Sequence, residues 1–173
     1  VTKLLLSIHV LVAILAVGSI TVAASMFPRQ ALRAIGGEGP GVTALLHRVC
    51  RGYAVAGIAV PVFGIATGAQ LGVLGDAWLI VSLVLTGIAA ALLGLVILPG
   101  QRSLLALAEG QAPSGESTGN ADAAADAAER AEHAQAAARP VAARLAMLTG
   151  IFNVLWAVVV VLMIVRPSST TGA

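Results

Sequence analysis

Four long apolar runs, at residues 4–27, 53–71, 77–98 and 141–165, occupy most of this chain. A helix needs about 20 apolar residues to cross the hydrocarbon core of a bilayer, and each run meets or nearly meets that length. Backbone that enters lipid must satisfy its own hydrogen bonds, which leaves helices or closed barrels. Runs this long without alternation leave helices. Charged residues make up only 10% of the chain, against about 25% in a soluble domain. That deficit is what lipid demands, since a charge at the bilayer centre costs at least about 2.5 kcal/mol. The expected fold is all-α. It is a single polytopic domain over 1–173, an antiparallel four-helix transmembrane bundle, with an alanine-rich cytoplasmic insert at 100–140 between the third and fourth helices.

The pI near 9.3 does not indicate nucleic acid. Net charge is only +2, and the arginines flank the apolar runs. Basic residues in that position report membrane orientation; no groove-tracking stripe or stacking aromatic accompanies them. Cys50 is the single cysteine, so an internal disulfide is excluded. The chain uses arginine almost to the exclusion of lysine and is rich in alanine, glycine and valine. That usage suits a GC-rich bacterial genome and an inner-membrane location. The first run has signal-peptide character, but Arg29 and Arg33 follow it directly, and positive charge there impedes export. The run is therefore expected to stay as the first span.

Arginine placement sets the expected topology. The first connection carries Arg29, Arg33, Arg48 and Arg51, and the third carries Arg102, Arg130, Arg139 and Arg144. The second has neither Lys nor Arg, and the termini contribute Lys3 and Arg166. The first and third connections should be cytoplasmic and both termini outside. Pro28, Pro99-Gly100 and Arg166-Pro167 are expected to end spans, and Gly36–Gly41 to form an elbow. Pro61 should kink the second helix. Trp78 and Tyr53 are expected at water–lipid boundaries. Residues 110–120 read as a flexible link and 168–173 as a frayed tail. Residues 121–138, with Asp122, Asp126, Glu129 and Glu132 on one face, read as a marginal helix or disorder ahead of Pro140.

Helices in lipid associate through close packing of small residues. Such stripes occur at His9, Ala13, Ala16 and Ala23, and at Gly57, Pro61, Gly64 and Gly68. Two more run through Gly87, Ala91 and Gly94, and through Ala146, Gly150, Asn153 and Ala157. They fit a compact bundle or a homo-oligomer. Gly64 and Gly150 are expected to be packing positions.

Arg144 at the edge of the fourth run aside, His9 is the one side chain within the runs that ionises near neutral pH. At about 1.5 Å per residue it lies about 7–8 Å below Leu4. Thr67, Ser82, Thr86 and Trp156 fall in the same half of the membrane, with Asn153 nearer the middle. These six residues form the candidate intramembrane polar cluster. An intramembrane ionisable group suggests proton handling, a haem or quinone contact, or a metal ligand. The plainer reading is a neutral histidine that holds helices in register. His47 and His133 lie at the opposite face, so bis-histidine haem ligation is excluded, whereas a His9–Met163 pair is geometrically allowed. His47 and Cys50 share a face but are too few for structural zinc; His47 is expected beside Arg48 and Arg51 at the head groups. No HExxH, GxSxG or P-loop occurs, and the spans contain no paired carboxylates.

The segments LLLSIHVLVAILAVGS, LLHRVCRGYAVAGIAVPVFGIATG and AWLIVSLVLTGIAAALLGLVILP resemble a family of bacterial four-helix integral membrane proteins of unknown function. More distantly, the early histidine is similar to that of copper-resistance D and HemJ-type bundles. That likeness would imply copper or haem chemistry at His9, although the third helix here lacks their lysine or second histidine. The reading taken forward is a non-enzymatic accessory or interaction subunit with no predicted cofactor. Its partners are the bilayer and a homo-oligomer or another membrane protein. The alternatives are a haem- or quinone-linked redox protein and a small oligomeric transporter or channel.

Overall fold

The computed structural model describes residues 2–111 and 121–165. Most of the expected link at 110–120, and the expected tail, lie outside these residues. Everything with regular structure among them is helical: α1 (Thr2–Arg33), α2 (Gly41–Ala56), α3 (Ala59–Leu71), α4 (Ala77–Leu92), α5 (Leu98–Gly110) and α6 (Ala121–Val165). Joined across their kinks, these give four helices long and apolar enough to cross a membrane: Lys3–Glu38, Gly41–Leu71, Ala77–Gly110 and Ala123–Val165.

Two expected span ends, at Pro28 and Pro99, do not end their helices, nor does Pro140 separate the alanine-rich segment from the fourth span; the end expected at Arg166-Pro167 lies outside the described residues. α1 runs through Pro28, which is buried, and ends in a wide π-helical turn at Ala34–Glu38. There Gly37 (φ 106°) and Gly39 (φ 85°) take left-handed conformations open mainly to glycine, and they form the expected elbow. The third span passes Pro99 because the chain widens into a π turn at Leu93–Ile97 just before it. Pro99 then falls in the first turn of α5, where a missing donor is tolerated. α6 continues through Pro140, so the alanine-rich segment and the fourth span are one helix of 45 residues.

The kink expected from Pro61 is present. Pro61 cannot donate to the Gly57 carbonyl, and Val60 N–H takes that carbonyl instead at 3.1 Å, separating α2 from α3 at Gly57–Ile58. Gly72 (φ 71°) closes α3 with Val73 N–H bonded to Gly68 O and Gly72 N–H to Ala69 O, a Schellman ending. Trp78 lies in the first turn of α4, at the end of a candidate span. It is buried, and its indole donates to Asp76 Oδ2 at 3.0 Å.

α1 is the central helix. It packs against α2, α3 and α6, while α4 packs on α6 and meets α3 only slightly. The core falls into two apolar layers. One joins Ile20, Ala23, Ala24, Cys50, Ala89 and Phe152. The other joins Phe27, Ile35, Leu104, Ala138 and Leu145 at the arginine-bearing end. In the second layer the alanine face of α6 lies on α1, and Gln135 Nε2 donates to Leu32 O at 2.8 Å. Small side chains allow that approach, which is why an alanine face suffices to seat the helix.

Candidate functional site

At the end of the bundle where α1 begins, α1, α3, α4 and α6 surround a cavity of about 440 Å³. His9, Thr67, Trp78, Leu79, Met163 and Gly64 are among its lining residues. Local causes place each of them. Weak contact between α3 and α4 leaves room between them. Gly64 lets α1 approach α3 so closely that a Cβ there would lie 2.9 Å from His9 Cε1. Gly68 does the same for Leu79, whose Cδ2 would lie 3.0 Å from an added Cβ.

His9 is buried, and its Nδ1 lies 2.9 Å from the Val60 carbonyl across the α1–α3 contact. A carbonyl only accepts, so Nδ1 carries the proton and Nε2 of the neutral ring is an acceptor. This bond joins the first helix to the kink in the second.

The other candidate polar residues do not form one hydrogen-bonded cluster with His9. Thr67 lines the cavity, but its hydroxyl donates to Phe63 O at 2.7 Å on its own helix. Ser82 donates to Trp78 O and Thr86 to Ser82 O, both one turn back along α4. Asn153 Nδ2 donates to Ser25 Oγ at 3.3 Å. Trp156 meets Phe152 edge-on, and its buried Nε1 has no hydrogen-bond partner among the described residues.

The glycines divide as sharply. Gly64 and Gly68 sit at close helix contacts, and Gly57 lies against its own Tyr53 carbonyl and near Ala16. A Cβ added to Gly87, Gly94 or Gly150 would meet nothing within 4 Å, so these three do not pack helices within this chain. Gly100, absent from the expected stripes, packs directly on Leu145.

The sequence reading also missed a second buried polar group. His47 does not sit among head groups with Arg48 and Arg51. It is 8% exposed; its Nδ1 lies 3.0 Å from Gln101 Oε1, and Gln101 Nε2 donates to Cys50 Sγ at 3.5 Å. Phe27 presents its ring edge-on to His47, centroids 6.5 Å apart. With Gln101 fully buried, the amide commits both its ends to tying α5 to α2. The signal was there: His47 and Cys50 at i, i+3 needed a polar partner on another helix, and Gln101 is the amide at the matching depth.

No group of three His, Cys, Asp or Glu side chains among the described residues is placed to hold a metal ion. His9 and Met163 do line the same cavity. No known protein family, curated protein or solved structure matches this chain.

Proposed function

We infer that this chain is an integral protein of a bacterial inner membrane, acting as a non-enzymatic accessory or interaction subunit. In this reading the bundle is antiparallel. The termini and the His9 cavity face outward, and the arginine-bearing end with the alanine-rich extension lies in the cytoplasm. The bias of eight arginines to that end, against Lys3 and Arg166, supports the orientation.

The observation that carries the functional reading is the outer surface of the third and fourth helices. Gly87, Ala91 and Gly94, and likewise Ala146, Gly150 and Ala157, are exposed, and the glycines meet nothing in this chain. Small residues on an apolar helix face permit close approach of another membrane helix. Several polar side chains of the spans are meanwhile engaged within the chain: His9 with Val60 and Asn153 with Ser25 between helices, and Ser82 and Thr86 along α4.

Site-specific cross-linking tests this. Gly87→Cys and Gly150→Cys in a Cys50→Ser background should give adducts of defined mass in native membranes, and Leu95→Cys, 76% exposed on the same span, should not. An adduct of twice the chain mass identifies a homo-oligomer. Adducts no more frequent than at Leu95 would remove the reading. A C-terminal reporter active only in the cytoplasm would reverse the orientation.

A haem-linked redox reading has one observation in its favour, the shared position of His9 and Met163 on the cavity wall. A Soret band lost in His9→Ala would support it, and a featureless visible spectrum of the purified protein would remove it.

A further inference from the structure

The cavity beside His9 has the properties of a ligand site. Its volume of about 440 Å³ lies within the usual range of small-molecule pockets, about 300–1,000 Å³. Its lining carries no Asp, Glu, Lys or Arg, and burying an unpaired charge is costly, so its occupant is uncharged.

One nitrogen breaks the apolar wall. The Val60 carbonyl fixes a proton of His9 on Nδ1, so in the neutral ring Nε2 is the acceptor. No described residue supplies Nε2 with a donor, and it is not among the enclosed unpartnered polar atoms, so it remains accessible. Gly64 lies close against the ring on its Nδ1 side, where an added Cβ would be 2.9 Å from Cε1 and 3.3 Å from Nδ1. The hydrogen bond and this close packing together fix the ring's position and leave Nε2 directed away from the Val60 contact. Val10, Ile14, Val160 and Ile164 line the same cavity while remaining exposed, so its mouth is apolar and suits entry from lipid.

We propose that the cavity binds a lipid-soluble molecule with an apolar body and a hydroxyl group, whose O–H donates to His9 Nε2. A hydroquinone and an isoprenoid alcohol offer the same chemistry, one on a ring and one on a chain. The proposal concerns binding alone. It goes beyond the accessory role and stands without it, because it needs only the cavity and the histidine tautomer.

The test uses the purified full chain in detergent and four probes: a decyl-substituted hydroquinone, its dimethyl ether, farnesol, and farnesyl methyl ether. Binding is read by calorimetry and by tryptophan fluorescence, since Trp78 lines the cavity. At least one alcohol should bind about tenfold more tightly than its ether, the worth of one buried hydrogen bond. The alcohol that binds identifies the source. His9→Leu should abolish that preference while leaving ether affinity within about twofold, because the hydrogen bond alone is lost. Ala13→Phe, which puts a ring into the cavity one turn along α1 from His9 while keeping the imidazole, should abolish binding of every probe and provides a second variant if His9→Leu misfolds. The proposal is overturned if neither alcohol binds, if alcohol and ether bind equally, if the preference survives His9→Leu, or if Ala13→Phe leaves binding intact.

Discussion

Gly64→Ala is the smallest change that tests whether the His9 contact holds the bundle together. The added Cβ would lie 2.9 Å from His9 Cε1 and 3.3 Å from Nδ1. Carbon–carbon contact is comfortable from about 3.5 Å, so the ring must retreat by roughly 0.6 Å. It is not free to do so. Its Nδ1 is bonded to Val60 O at 2.9 Å, and a retreat of that size can stretch the bond to as much as about 3.5 Å, beyond useful hydrogen-bond length. Polar bonds between membrane helices are worth about 0.6 kcal/mol on average and up to about 1.7, and forced repacking adds about 1–3 kcal/mol. Alanine recovers at most about 1 kcal/mol of helix propensity. The net expectation is a loss of about 1–3 kcal/mol.

Gly150→Ala is the matched control. Its Cβ meets nothing within 4 Å, so only the propensity term acts, and stability should be unchanged or higher by up to about 1 kcal/mol. Reversible unfolding in mixed micelles of mild detergent and dodecyl sulfate, followed by far-UV circular dichroism, measures both. The cycle is completed in a His9→Ala background, where the imidazole is gone and Gly64→Ala should cost less than about 0.5 kcal/mol. Equal stability of the two alanine variants, or an undiminished Gly64→Ala cost without His9, would refute the reasoning.

Gln101→Leu strands His47 Nδ1 and removes the donor to Cys50; it should destabilise the same unfolding transition by about 1–3 kcal/mol, the cost of an unsatisfied buried group. Its partner test is chemical. Cys50 is fully buried, so N-ethylmaleimide should label the folded protein far more slowly than the unfolded one, and Gln101→Leu should speed labelling of the folded state. Gly100→Ala should cost about 1–3 kcal/mol by overpacking, since its Cβ would overlap the buried Leu145 side chain, and Leu145→Ala should relieve most of that loss.

The four helices long and apolar enough to cross a membrane were legible because lipid sets a length that few other structures need, and the Gly36–Gly41 elbow and the Pro61 kink were legible because their causes are local. Span ends were not. Pro28, Pro99 and Pro140 each remove a backbone donor, but one donor is a small loss to a helix already held by its neighbours. At Pro99 the π turn over Leu93–Ile97 absorbs it. The length of α6 was hidden for a related reason. Ala138 and Ala142 offer little area, but their small size lets the helix lie against Phe27, Ile35 and Leu104, a fit visible only once those partners are placed.

The inward faces failed in a more instructive way. The expected stripe Ala146, Gly150, Asn153 and Ala157 runs one residue ahead of the buried row Leu145, Thr149 and Phe152, and Gly87 runs one ahead of the buried Thr86. One residue is about 100° on a helix, enough to turn a packing face toward lipid. In water, hydrophobic periodicity would have corrected this, but here the bundle interior and its surroundings are equally apolar. Polar side chains carry the missing phase. Ser82, Thr86, Gln101 and Thr149 are all buried, whereas Gly87, Gly94 and Gly150 are exposed. A hydroxyl or amide gains nothing from lipid: Ser82, Thr86 and Gln101 find partners inside, and Thr149 turns inward although its Oγ1 bonds no described residue, while glycine is indifferent to which side it faces. In the third and fourth spans these buried polar residues therefore mark the interior face better than the small-residue stripes do, and His9, engaged with Val60 beside the cavity, follows the same rule, although Ser25 of the first span is exposed and is met there by Asn153.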